Sequence, residues 1–171
     1  AADIRSDRYC GRLPFNTRSL RSMRLAVKFV GVDYGLARTG LAVTDPEGRL
    51  AFPLMTLRLE DFSDRKAFLA ALAEHIVEAG AEAVVVGLPL TLDGEESLTT
   101  RQIRNVTERL KRRVPLPFFF MMEALSSQEA WSDLREAGLK VRKRKAVLDQ
   151  QAAVRILSSF LSLAPQDRRP A

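Results

Sequence analysis

Three carboxylates carry the most chemistry this sequence can offer, because cysteine and histidine are nearly missing. A single cysteine, Cys10, and a single histidine, His75, leave neither a Cys-built zinc site nor a His-rich centre, and no histidine-dependent triad is favoured. Asp33 follows the run Val27-Lys28-Phe29-Val30-Gly31-Val32, so it sits at the carboxyl end of a strand, with Gly35 beside it to admit a ligand close to the backbone. The competing role is a plain turn, Asp33-Tyr34-Gly35. Glu123 ends a second apolar strand, Phe118-Phe119-Phe120-Met121-Met122, either at the same edge or as a surface residue ahead of a helix. Asp149 shares a helical register with Ala152, Ala153, Ile156 and Phe160, which turns it toward a core; the competing role is that of a helix cap. Two strand-end acids and one acid on a covering helix suit a hard cation that prefers oxygen, Mg²⁺ or Mn²⁺. Such an ion would activate water and stabilise a phosphoryl transition state, which is the chemistry of a metal-dependent nuclease.

The charge distribution points to a polyanion. The 171 residues carry 27 Lys and Arg against 21 Asp and Glu, a net of +6. Residues 1–22 hold +3, residues 101–115 hold +5 and residues 134–147 hold +5, so the remainder of the chain is net acidic. Segregation of this kind is either a set of solvated faces or the footprint of a phosphate-rich partner. The densest run, Lys140, Arg142, Lys143, Arg144 and Lys145, is expected in a connection between helices, where like charges repel unless phosphate lies among them.

The elements that must position these groups are legible. Strands are expected at 27–32, 39–44 and about 50–57, a meander whose second turn is Asp45-Pro46-Glu47-Gly48. Phe68, Leu69, Leu72, Ile76 and Ala79 give a helix over 65–79, stopped by Gly80. Ala83–Gly87 reads as a strand buried on both faces. A helix follows from a capping box at Thr99, then a strand over 116–122, a helix from Ser126 to Gly138, and a last helix over 147–163. The expected architecture is α/β, a mixed five-stranded sheet flanked by helices. Residues 1–22 read as an extension, 23–165 as the domain and 166–171 as a tail. At 46% hydrophobic the chain can bury a core, no apolar run approaches a membrane span, and its cysteine usage fits a reducing, intracellular compartment.

Four segments resemble the signatures of the YqgF/RuvX family. They are Val32-Asp33-Tyr34-Gly35-Leu36-Ala37-Arg38-Thr39-Gly40, Gly87-Leu88-Pro89-Leu90-Thr91-Leu92-Asp93-Gly94, Glu123-Ala124-Leu125-Ser126-Ser127-Gln128-Glu129-Ala130, and Asp149-Gln150-Gln151-Ala152-Ala153. The resemblance runs from about residue 27 to 163. It implies an RNase H-like fold related to Holliday junction resolvases, and a nuclease that matures the 5′ end of pre-16S rRNA in the bacterial cytoplasm in association with ribosome precursors. Its metal-binding acids fall on Asp33, Glu123 and Asp149. Arg38, within the first signature, joins Lys140, Arg142, Lys143, Arg144 and Lys145 as a candidate substrate contact. Met122 stands where the family usually has Asp, and Ala124 where it usually has Arg; neither departure removes the three acids, and the missing Arg is expected to weaken phosphate or transition-state contacts. RNA is favoured over branched DNA as partner. The other readings are a resolvase and a catalytically weak RNA-binding assembly factor. An actin-like kinase, which needs two such domains, does not fit this length.

Overall fold

The computed structural model describes residues 26–90, 96–124 and 141–171. Its elements in chain order are β1 (Phe29–Tyr34), β2 (Arg38–Thr44), β3 (Ala51–Arg58), α1 (Arg65–Glu78), β4 (Ala83–Leu90), α2 (Leu98–Lys111), β5 (Phe118–Ala124), α3 (Val141–Ser162) and β6 (Arg169–Pro170). The extension 1–22, the helix expected from Ser126 to Gly138, and Lys140 lie outside the described residues.

The six strands form one sheet in the order β3-β2-β1-β4-β5-β6. β1 pairs antiparallel with β2 and parallel with β4; β4 and β5 are parallel, and β5 and β6 antiparallel. Alternation along β1 sends Val30 and Val32 to one face, against Phe68, Leu69, Leu72 and Ile76 of α1 and Ile103 and Leu110 of α2. Phe29 goes to the other face, against Ala153, Ile156, Leu157 and Phe160 of α3. The result is three layers, with a core on each side of the sheet.

Four differences from the sequence reading have physical causes. The sheet has six strands, not five: residues expected as a tail pair Pro170 with Phe119 and Arg169 with Phe120. That edge strand is held by Ala171 N donating to Phe118 O at 2.8 Å, by Lys111 Nζ donating to Ala171 O at 2.8 Å, and by Arg168 lying over the rings of Phe160 and Phe29 at 4.7 and 5.6 Å. β1 and β5 each run past their expected ends, so Asp33 and Glu123 are strand residues with ladder partners, and Asp33 is not part of a turn. The N-cap of α2 is Ser97, whose Oγ accepts from Thr100 N at 3.2 Å; the Thr100 hydroxyl is spent on Pro89 O at 3.0 Å. Finally α3 begins at Val141, so Arg142, Lys143, Arg144 and Lys145 occupy helix and not a connection. Lys and Arg are good helix formers, and the apolar register that anchors α3 further on lets it extend through them.

Candidate functional site

The carboxylates gather on the α3 face of the sheet, at its carboxyl edge. Phe29 packs against α3, and alternation puts Asp33 on that same face. In β5, Phe119 and Met121 pack in the α3 cluster while Phe118, Phe120 and Met122 pack on the opposite side. Glu123 therefore shares the face of Asp33. Met122, one of the two departures from the family signatures, points into the other core, with its sulfur 3.7 Å from Arg169 Nη1.

Asp149 lies well inside α3, which rules out the capping role and leaves the one in which it faces the sheet. Its position is fixed by Gly40, the ladder partner of Asp33. A Cβ on Gly40 would collide with the backbone carbonyl of Asp149, so only glycine allows α3 to lie this deep. Gly31 and Gly87 do the same further along, where side chains would meet Leu157 and Ile156. Reasoning from sequence alone misses these glycines; the signal it has is Gly31 and Gly40 interrupting strands otherwise rich in Val, Leu and Ala.

Electrostatics couples the three acids. Burial, then the charge of Asp149, then that of Glu123, push the Asp33 carboxyl up to about 7. Arg38, at the start of β2, places its Nε 3.1 Å from Asp149 Oδ2, with both side chains largely enclosed. The turn that brings Arg38 back over the site is closed by Gly35 N donating to Arg38 O at 2.9 Å. On the β3 side, Gln150 Nε2 reaches Thr56 Oγ1 at 3.3 Å and ties the same turn of α3 to the sheet.

The donor chemistry of this group suits a hard cation: clustered carboxylates that raise one another's proton affinity are relieved by a positive ion. Among the described residues, however, no three His, Cys, Asp or Glu side chains stand close enough together to enclose an ion as they are placed. Of the expected substrate contacts, Arg38 is brought directly to the acids, whereas the side chains of Arg142, Lys143, Arg144 and Lys145, like Lys140, lie outside the described residues. No described helix is long and apolar enough to cross a membrane.

Known proteins resemble this chain along most of its length. A family profile described as "RuvX: Holliday junction resolvase" matches residues 27–163. A protein of Oleidesulfovibrio alaskensis named "Putative pre-16S rRNA nuclease" is 56% identical over 143 residues, 84% of this chain and 96% of that one. One of the same name from Lawsonia intracellularis is 46% identical over 142 residues, 83% of this chain and 98% of its own. Among solved structures, T. thermophilus RuvC in complex with Holliday junction substrate superposes with a TM-score of 0.54 at 15% identity, covering 84% of this chain and 99% of that one. This likeness shows the RNase H-like fold.

Proposed function

The chain belongs to the RuvX family, and from that footing we propose that it is a metal-dependent nuclease that hydrolyses phosphodiester bonds in nucleic acid, with precursor 16S rRNA as substrate. The observation that carries this reading is Asp33, buried on the α3 face near enough to Asp149 and Glu123 that burial first, and then their charges, raise its pKa. Asp33, Glu123 and Asp149 would hold Mg²⁺ or Mn²⁺, which when bound supplies an activated water and charge stabilisation for phosphoryl transfer.

The chain's own residues have separable tasks. β1 and β5 present Asp33 and Glu123 from rigid strands, so little reorganisation is needed to meet a ligand. Gly40 sets the depth of α3, and Arg38 orients the Asp149 carboxylate. Arg142, Lys143, Arg144 and Lys145 in the opening turns of α3, with Lys140 just before them, are the cations we assign to the phosphate backbone. Cations at a helix N-terminus run against the helix dipole, and an anion there offsets both costs. RNA is favoured over branched DNA by the names of the curated relatives, and the bacterial cytoplasm, with ribosome precursors as partners, follows from the same reading.

The test compares parent protein with Asp33→Asn, Glu123→Gln and Asp149→Asn on a pre-16S leader RNA and a four-way DNA junction, in Mg²⁺, Mn²⁺ or chelator. Hydrolysis of the RNA that needs the metal and all three acids supports the reading; cleavage by Asp33→Asn sinks it. A second reading, a weakly catalytic RNA-binding assembly factor, is favoured by the Arg38–Asp149 ion pair, which engages one ligand. It predicts RNA binding with no metal-dependent hydrolysis.

A further inference from the structure

On the sheet's other face an electropositive hollow stands apart from the carboxylates. Arg109, Arg112 and Arg113 from the end of α2 and Lys66 from the start of α1 line a cleft of about 400 Å³, with Leu69 as its apolar wall. Residues 109, 112 and 113 are spaced i, i+3, i+4, so they stack on one side of a helical turn; Arg112 keeps helical dihedrals, φ −72° and ψ −23°, and Arg113 N donates to Leu110 O at 2.9 Å. Lys66 faces them from a different helix. Among the described residues no carboxylate lines this cleft, although Arg113 also borders a neighbouring hollow with Glu74 and Glu78.

Nearby cations behave differently. Lys111 is taken up by Glu108 Oε1 at 3.2 Å and by Ala171 O, and Arg104 by Glu96 Oε1 at 2.8 Å. The helix carbonyl end at α2 favours positive charge, but a dipole worth roughly half an elementary charge does not neutralise four cations. Four donors converging from two helices on one concavity fit an anion with several oxygens.

We propose that this cleft is a second contact for the phosphate backbone of a structured nucleic acid, one long enough to reach round the molecule from the carboxylate face. The inference rests on the nuclease reading for its substrate class. α1 and α2 pack against Val30, Val32, Val84 and Val86, whereas α3 and Asp149 cover the opposite face, so the acids and the cleft lie on opposite sides of the sheet. Arginine predominates here because its planar fork pairs with phosphate oxygens two at a time.

The experiment measures binding of the full chain to a labelled hairpin RNA of several tens of nucleotides and to a single-stranded hexanucleotide, between 50 and 200 mM salt. The proteins are the parent and Arg109→Gln/Arg112→Gln/Arg113→Gln, each checked by circular dichroism. Removing one phosphate-binding cation should lower the log–log salt slope by roughly 0.7–0.9, so the triple variant should lose about two to three units on the hairpin and none on the hexanucleotide. Should the triple variant fail to fold, Arg112→Gln alone should lose about one unit. Equal slopes on the hairpin overturn the proposal, as does an equal loss on the hexanucleotide, which would make the cleft part of the primary site. Displacement of the hairpin by polyglutamate as readily as by RNA of equal charge would assign the cleft to an acidic protein instead, and also overturns it. Because binding is read separately from hydrolysis, an inactive parent with a changed slope would refute the nuclease reading alone.

Discussion

Neutralising Asp33 should stabilise the metal-free protein, and the effect should depend on pH in a defined direction. Burial and two neighbouring carboxylates raise its pKa from 3.8 to about 7. The folded state therefore holds a proton that the unfolded state has released across that interval. Stability from this group is complete below the unfolded pKa, falls as pH rises, and levels off above the folded pKa. At about 1.36 kcal/mol per unit, the carboxylate costs the metal-free fold on the order of 4 kcal/mol at pH 8. Asp33→Asn keeps the shape without the charge. Its advantage over the parent should grow from about 1–2 kcal/mol at pH 5 to about 4 kcal/mol at pH 8. Urea denaturation of both proteins in chelator at pH 5, 6, 7 and 8 measures this, and groups common to both cancel in the difference. Adding Mg²⁺ at a hundredfold excess over its Kd should restore about 2.7 kcal/mol to the parent and nothing to the variant. A difference that is flat from pH 5 to 8, or a variant less stable than the parent at pH 8, would refute the picture of Asp33 as a buried, crowded carboxylate.

Other outcomes follow from the same geometry. Asp33→Asn should abolish hydrolysis while leaving affinity for RNA within about twofold, as read by cleavage assays alongside fluorescence anisotropy, since binding rests on the basic segments. Gly40→Ala should destabilise the fold by about 1–3 kcal/mol and lower activity, because the new methyl pushes the Asp149 backbone off the sheet; thermal melts and rates measure the two losses. Arg142→Ala/Lys143→Ala/Arg144→Ala should flatten the salt dependence of RNA binding by about two to three units, and an unchanged slope would remove these residues from the backbone contact. Deleting residues 169–171 should lower the melting temperature, since it uncovers the edge of β5 and frees Lys111 from Ala171 O; an unchanged melt would mean β6 contributes nothing measurable.

By itself the sequence determined the layered α/β plan, because apolar runs and 3.6-residue periodicity are local signals that survive without neighbours. Val30, Val32 and the Ala83–Gly87 run mark central strands, and Ile156 and Phe160 mark the buried stripe of α3. Both strand-borne acids could be placed at the carboxyl edge for the same reason. Tertiary structure decided what depends on distant pairings. Whether Asp149 caps a helix or faces the sheet turned on where α3 begins, and its depth turned on Gly40, a residue whose role is visible only once Asp149 rests on it. The sixth strand follows from hydrogen bonds between Arg169–Pro170 and a partner about fifty residues earlier, which two residues of sequence cannot announce. The raised pKa of Asp33 belongs to the assembled site alone, because burial and Coulomb repulsion arise only when three separate elements bring their charges onto one face.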